Sequence, residues 1–165
     1  MVNRIERKQE LSFGYIKAEG IGNKCEQRFR QLVAQKGLTI ILERNVFMSY
    51  EKIKLHQPIL FFLDGSKNDI WKIQSAGRMI GSIVKTFIVS GVNAISDMTD
   101  IRNRIRAEFA VPCEFDAEHE RSYPNFMHAP DDFEQVEQDI RILLPDMLNF
   151  CIRTNGSHLI QKSIW

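Results

Sequence analysis

The chain has 165 residues, enough for one domain around a single core. Its composition, 44% hydrophobic and 26% charged with 22 basic against 21 acidic residues, is that of a soluble globular protein and lacks the basic field of a dedicated nucleic-acid binder. Small molecules and other proteins are the expected partners, nucleic acid is not.

No stretch approaches the ~20 apolar residues of a membrane span, and the opening MVNRIERKQE has no signal-peptide apolar run. Cys25, Cys113 and Cys151 are an odd, widely spaced set without a CxxC, which predicts free thiols and a cytoplasmic location.

In chain order, Leu11, Phe13 and Tyr15 alternate with Ser12 and Gly14, which predicts a strand delivering Lys17 to its C-terminal end. Cys25, Phe29, Leu32 and Val33 then share one helical face, with Gly37 at the C-cap. Residues 38–48 read as a second strand, 50–56 as a short helix, and 57–69 as an apolar stretch broken by a turn at Asp64-Gly65. Over 69–80 the spacing predicts a helix with Ile70, Ile73 and Gly77 on its face, followed by a β-branched strand from Ser82.

Ala94, Met98, Ile101 and Ile105 mark another helix, which leaves Arg102, Arg104 and Arg106 near its far end. Residues 110–124 show no period and predict a loop, and Asn125 to Met127 a fourth, short strand. Asp131 and Glu134 predict a capping box opening a helix whose apolar face is Phe133, Val136, Ile140 and Leu143, ending near Pro145. This order predicts an α+β, ferredoxin-like sandwich: a four-stranded antiparallel sheet with flanking helices.

His128 stands just before that last helix, where backbone N–H groups favour anions. A neutral imidazole there can attack phosphorus if its other ring nitrogen is held by an acceptor, for which Asp139 and Glu137 are candidates. Lys17 with Arg102, Arg104 or Arg106 are candidate cations for the developing charge. Cys113, Asp116, Glu118 and His119 match no metal-ligand spacing, so no protein-held metal is expected.

Three motifs, in order, resemble the nucleoside diphosphate kinase family. Ile16-Lys17-Ala18-Glu19-Gly20 resembles its IKPDG-type motif at the end of a first strand. Ile105 to Phe109, IRAEF, resembles its IRGDF-type stretch, and Asn125-Phe126-Met127-His128 resembles the start of its N-x-x-H-G/A-S-D-S signature. The resemblance implies a phosphotransferase that moves the γ-phosphate of a nucleoside triphosphate to a nucleoside diphosphate through a phosphohistidine on His128, with Mg2+ arriving on the nucleotide.

It also implies roles for other residues. Asp139 would orient His128, Lys17, Arg102 and Arg106 would meet phosphates, and Asn125 the sugar and phosphate region. The base-stacking aromatic is expected at Trp71, with Phe61 and Phe62 as competing candidates whose expected place is the core. The implied organisation is an extension at 1–10, the kinase-like domain at 11–145, and a tail at 146–165 packed on the domain or on a neighbouring subunit of a homo-oligomer.

The chain departs from the family pattern at several points. Pro130 replaces the signature serine and Asp139 a glutamate, and Gln57 stands where a tyrosine is usual. The segment between Gly91 and Arg106 is shorter than the family's, and residues are inserted between Phe109 and Asn125. These changes motivate a second hypothesis, a module of the same fold that binds nucleotide or protein without turnover.

Overall fold

The computed structural model describes residues 9–66, 69–109 and 126–155. Strand β1 (Glu10–Ile16) is an inner strand of a four-stranded antiparallel sheet in which β2 (Thr39–Phe47), β3 (Ile83–Gly91) and β4 (Met127–His128) complete the order β2-β3-β1-β4. Side chains alternate across a strand, so β1 feeds two cores at once. Leu11, Phe13 and Tyr15 bury on one face and Ile16 on the other.

On the Ile16 face lie α1 (Lys24–Gln35) and α4 (Ala94–Glu108). Their spaced apolar residues, Cys25, Phe29, Leu32 and Val33 with Ala94, Met98, Ile101 and Ile105, all bury there. A fully buried side chain such as Phe29 or Ile101 contributes about 1.5–3 kcal/mol. Asn23 caps α1 by accepting from Cys25 N–H at 2.8 Å, and Gly37 beyond its end adopts the expected left-handed φ of 68°. Close packing of α4 on the sheet depends on Gly14, where a Cβ would stand 2.6 Å from Met98 Cε.

The Tyr15 face is covered by α2 (Tyr50–His56), α3 (Asp69–Met79) and α5 (Phe133–Leu143) through Ile53, Ala76, Met79, Val136, Ile140 and Leu143. Beyond α5, a 3-10 turn at Pro145–Met147 leads to α6 (Leu148–Asn155), and Met147 and Leu148 pack on this same core.

Four local expectations need correction. The inner face of α3 is Lys72, Ser75, Ala76 and Met79, whereas Ile70 and Ile73 are 53% and 56% exposed. Lys72 points inward because its ammonium donates to Phe62 O at 2.8 Å and pairs with Asp69 at 3.1 Å. Phe62, expected in the core, is 66% exposed. The fourth strand is Met127–His128, so His128 lies within it rather than after it.

The cap of α5 is Asp132, not Asp131. Asp132 accepts from Gln135 N–H at 2.9 Å, and Gln135 Oε1 accepts from Asp131 N–H at 3.2 Å. The N-cap thus forms one residue later than predicted, with Gln135 reaching back to Asp131 N–H, and the Asp131 carboxylate is drawn to Arg102 at 2.7 Å. The predicted loop at 110–124 and Asn125 lie outside the described residues.

Candidate active site

Strand pairing builds the site. Tyr15 and His128 are direct cross-strand partners and share a face, so the phenol stacks on the imidazole with centroids 4.9 Å apart and planes 25° apart. Lys17, two residues past Tyr15, belongs by alternation to the same face. Its backbone N–H donates to Phe126 O at 2.8 Å, which carries the β1–β4 pairing beyond the strand end.

From α5, Asp139 Oδ2 accepts from His128 Nε2 at 2.8 Å. The other candidate acceptor, Glu137, is engaged with Arg141 instead. The second carboxylate oxygen, Oδ1, faces His56 Nδ1 at 2.8 Å. His56 comes from the last position of α2, is buried, and meets the Tyr15 hydroxyl through Nε2 at 3.2 Å. Gln57 Nε2 donates to the same hydroxyl at 3.0 Å. Asp139 is thus held between two imidazoles.

Burial drives the His128 pKa below the ordinary histidine value, outweighing the opposing pull of Asp139, while His56 and Arg106 add to the depression. Burial works against the Asp139 carboxylate, yet the hydrogen bond from His128 and the close approach of His56 hold its pKa below the usual carboxylate value. The result is a neutral imidazole donating Nε2–H to an ionised carboxylate. That tautomer leaves the lone pair on Nδ1, which has no hydrogen-bond partner among the described residues.

Positive charge crowds beside this pair. Lys17 is 8% exposed, and burial first, then the charges of Arg106 and Arg78, lower its pKa to about 8 against the opposing effect of Glu19. No hydrogen-bond or ion-pair partner meets its ammonium among the described residues. Arg106 is likewise lowered by burial and by Arg102, against Tyr15 and Asp131, and donates to Met127 O at 3.2 Å. Cations that are largely buried and depress one another are suited to an anion.

Arg102, Arg104 and Trp71, the other residues the sequence offers for the site, take their own places. Arg102 donates to Ala129 O at 2.6 Å and to Asp131 at 2.7 Å, and Thr99 donates to Pro130 O at 3.1 Å, so both brace the turn after His128. Arg104 is exposed. Trp71 is half-buried against the core on the Tyr15 face. Asp132 satisfies the first turn of α5 with the chain's own carboxylate, so attraction for an anion rests on the side-chain cations rather than on that helix end.

Tyr15, His56 and Arg78 were not singled out from the sequence. Tyr15 reads there as a strand core residue and His56 as the end of a short helix, and only the tertiary fold brings both to Asp139.

No family model and no curated relative matches the chain. Solved structures do. The apo nucleoside diphosphate kinase from Encephalitozoon cuniculi is similar over 84% of this chain and 91% of its own, with a TM-score of 0.61 and 20% identity. The Borrelia burgdorferi enzyme, solved as a transition-state mimic with vanadate and ADP, covers 81% of this chain and 86% of its own at a TM-score of 0.56 and 19% identity. The Aquifex aeolicus nucleoside diphosphate kinase covers 81% and 94% at a TM-score of 0.59 and 16% identity. The chain therefore has the fold of the nucleoside diphosphate kinases, the predicted four-stranded antiparallel sheet with flanking helices.

Proposed function

We propose that the chain transfers the γ-phosphate of a nucleoside triphosphate to a nucleoside diphosphate through His128. The observation that carries this reading is the neutral His128, tied to ionised Asp139 at 2.8 Å, beside the crowded cations Lys17 and Arg106. In the first step the Nδ1 lone pair attacks the γ-phosphorus, the bond to the bridging oxygen breaks, and the diphosphate leaves with that electron pair. Asp139 offsets the positive charge that forms on the ring. In the second step a terminal oxygen of an incoming diphosphate attacks the same phosphorus and the N–P bond breaks, restoring neutral His128.

Lys17 and Arg106 hold the transferring oxygens, with Arg78 at the same cluster. Since the described groups beside His128 are mainly cationic, Mg2+ belongs to the nucleotide, whose phosphate charge it offsets when bound. Asn125 would serve the sugar, and a base would stack beside α3 and the segment before it, where Trp71 is half-buried and Phe62 exposed. Homo-oligomer assembly is part of this reading, supported by the exposed Ile41 and Phe47 on edge strand β2. A cytoplasmic location suits it.

The test is incubation of the pure chain with Mg2+ and γ-labelled ATP, wild type beside His128→Ala. Acid-labile label that forms on wild type alone and passes to GDP supports the reading. A second reading, nucleotide binding without turnover, is favoured by one observation: Asp131 occupies Arg102 and places a carboxylate beside the phosphate cluster. Nucleotide binding in calorimetry without any label would select it.

A further inference from the structure

The sequence shows no metal-ligand spacing, yet the fold gathers one donor from each of three elements. One ligand atom each from His56 at the end of α2, His128 on β4 and Asp139 on α5 lie within 4.8 Å of one another, and His56 Nδ1 and His128 Nε2 are the ring nitrogens that face the carboxylate. Two imidazoles and a carboxylate are the donor set of zinc and its late first-row neighbours, and are unlike the all-oxygen shells of Mg2+ or Ca2+.

His56 supplies an independent reason to look for a ligand. Its side chain is 1% exposed, and although Nδ1 lies 2.8 Å from Asp139 Oδ1, that nitrogen makes no well-directed hydrogen bond. A buried polar atom left this way calls for an explanation. Its other ring nitrogen faces the Tyr15 hydroxyl at 3.2 Å, and Gln57 donates to that hydroxyl in turn. This is the outer support that fixes the orientation of a metal-binding histidine.

The three donors also start near coordinating distance. Metal–nitrogen bonds of about 2.0–2.1 Å set tetrahedral donors roughly 3.3 Å apart. Both histidine nitrogens stand 2.8 Å from their carboxylate oxygen, so an ion needs only a small outward shift there and a closing of the two imidazoles on each other. His128 is 20% exposed, which gives an ion and a fourth, water ligand a way in.

We propose that His56, His128 and Asp139 form a binding site for a late first-row divalent cation such as Zn2+. Coordination at Nε2 takes the place of the proton there, and the ring's single proton moves to Nδ1, so the imidazole stays neutral. The Nδ1 lone pair is then gone, so the bound ion blocks phosphorylation; this consequence rests on the phosphohistidine reading, whereas the site itself does not. Charge on Arg106, which faces His128, opposes the ion. Reversible binding is therefore expected rather than a permanent structural metal.

The full chain titrated with Co2+ gives the direct test. One ion per chain is expected, with visible d–d bands, an X-ray absorption shell of nitrogen and oxygen containing two imidazoles, and loss of binding in His56→Ala and His128→Ala that keep the wild-type circular dichroism. Sulfur in the shell, binding unchanged in His56→Ala, or no binding at millimolar Co2+ overturns the site. If His56→Ala does not fold, the wild-type absorption shell decides by its imidazole count. Phosphorylation of His128 at an undiminished rate with one Zn2+ bound also overturns it, whereas a metal-free chain that never labels defeats only the kinase reading.

Discussion

Asp139 Oδ2 lies 2.8 Å from His128 Nε2 across eleven residues of sequence, with β4 presenting one partner and the middle of α5 the other. Asp139→Asn keeps the shape and loses the charge that, on the proposed reading, balances the ring as it takes up phosphate. His128 phosphorylation is expected to slow by about 10²-fold or more, measured by rapid quench with labelled ATP. An unchanged rate removes Asp139 from the chemistry.

Two titrations bound activity. On the proposed phosphohistidine reading neutral His128 is the reactive form, and its depressed pKa keeps it neutral below the ordinary 6.5, so the acid limb of kcat/KM is expected below that value. Lys17 loses its charge near 8, so kcat/KM falls above that pH. Lys17→Arg is expected to move the alkaline limb upward, because arginine does not titrate there. A profile unaltered by the substitution separates Lys17 from the phosphates.

Stability carries its own pH signature. The unfolded chain protonates its histidine at 6.5 while folded His128 resists, so His128 contributes no penalty above 6.5 and an increasing one as pH falls from 6.5 toward its lower folded value. Asp139, also depressed, adds to the loss further down, below 3.8. The urea midpoint is expected to drop between about pH 7 and about pH 5.5, and to drop less in His128→Gln. Equal slopes for the two proteins contradict the assignment.

Asp131 competes with any phosphate for Arg102, which it holds at 2.7 Å. Asp131→Asn removes one negative charge from the rim of the cluster. Nucleotide affinity is expected to rise several-fold in calorimetry at low salt, and the gain to shrink as salt is added. Weaker binding would show that Arg102 serves only to brace the turn.

Gly14 has room for hydrogen and nothing more: a Cβ there stands 2.6 Å from Met98 Cε and 3.0 Å from the His128 carbonyl oxygen. Gly14→Ala is expected to cost about 1–3 kcal/mol in chemical denaturation, since packed cores yield poorly to added volume. It should also displace His128 and slow its labelling. Wild-type stability in this variant would mean that Met98 swings aside freely.

Periodicity in the chain determined its elements. Two-residue alternation in β1 and the 3.6-residue stripes of α1 and α4 mark the faces that bury, because burial of apolar side chains must follow backbone geometry. The motifs around Lys17 and His128 point to phosphate chemistry, since residue type and order survive without knowledge of the fold. The α3 face escaped this logic: Ile70 and Ile73 suggest one side, while the lysine that clasps the preceding turn lies on the other. Which neighbour covers a helix is a property of packing. The meeting of His56, Tyr15 and Asp139 around His128 was likewise decided only in three dimensions, where sheet order brings β1 beside β4, and α2 and α5 close over the same face. No local spacing records that convergence, because hydrogen-bond partners are selected by distance in space and not by separation along the chain.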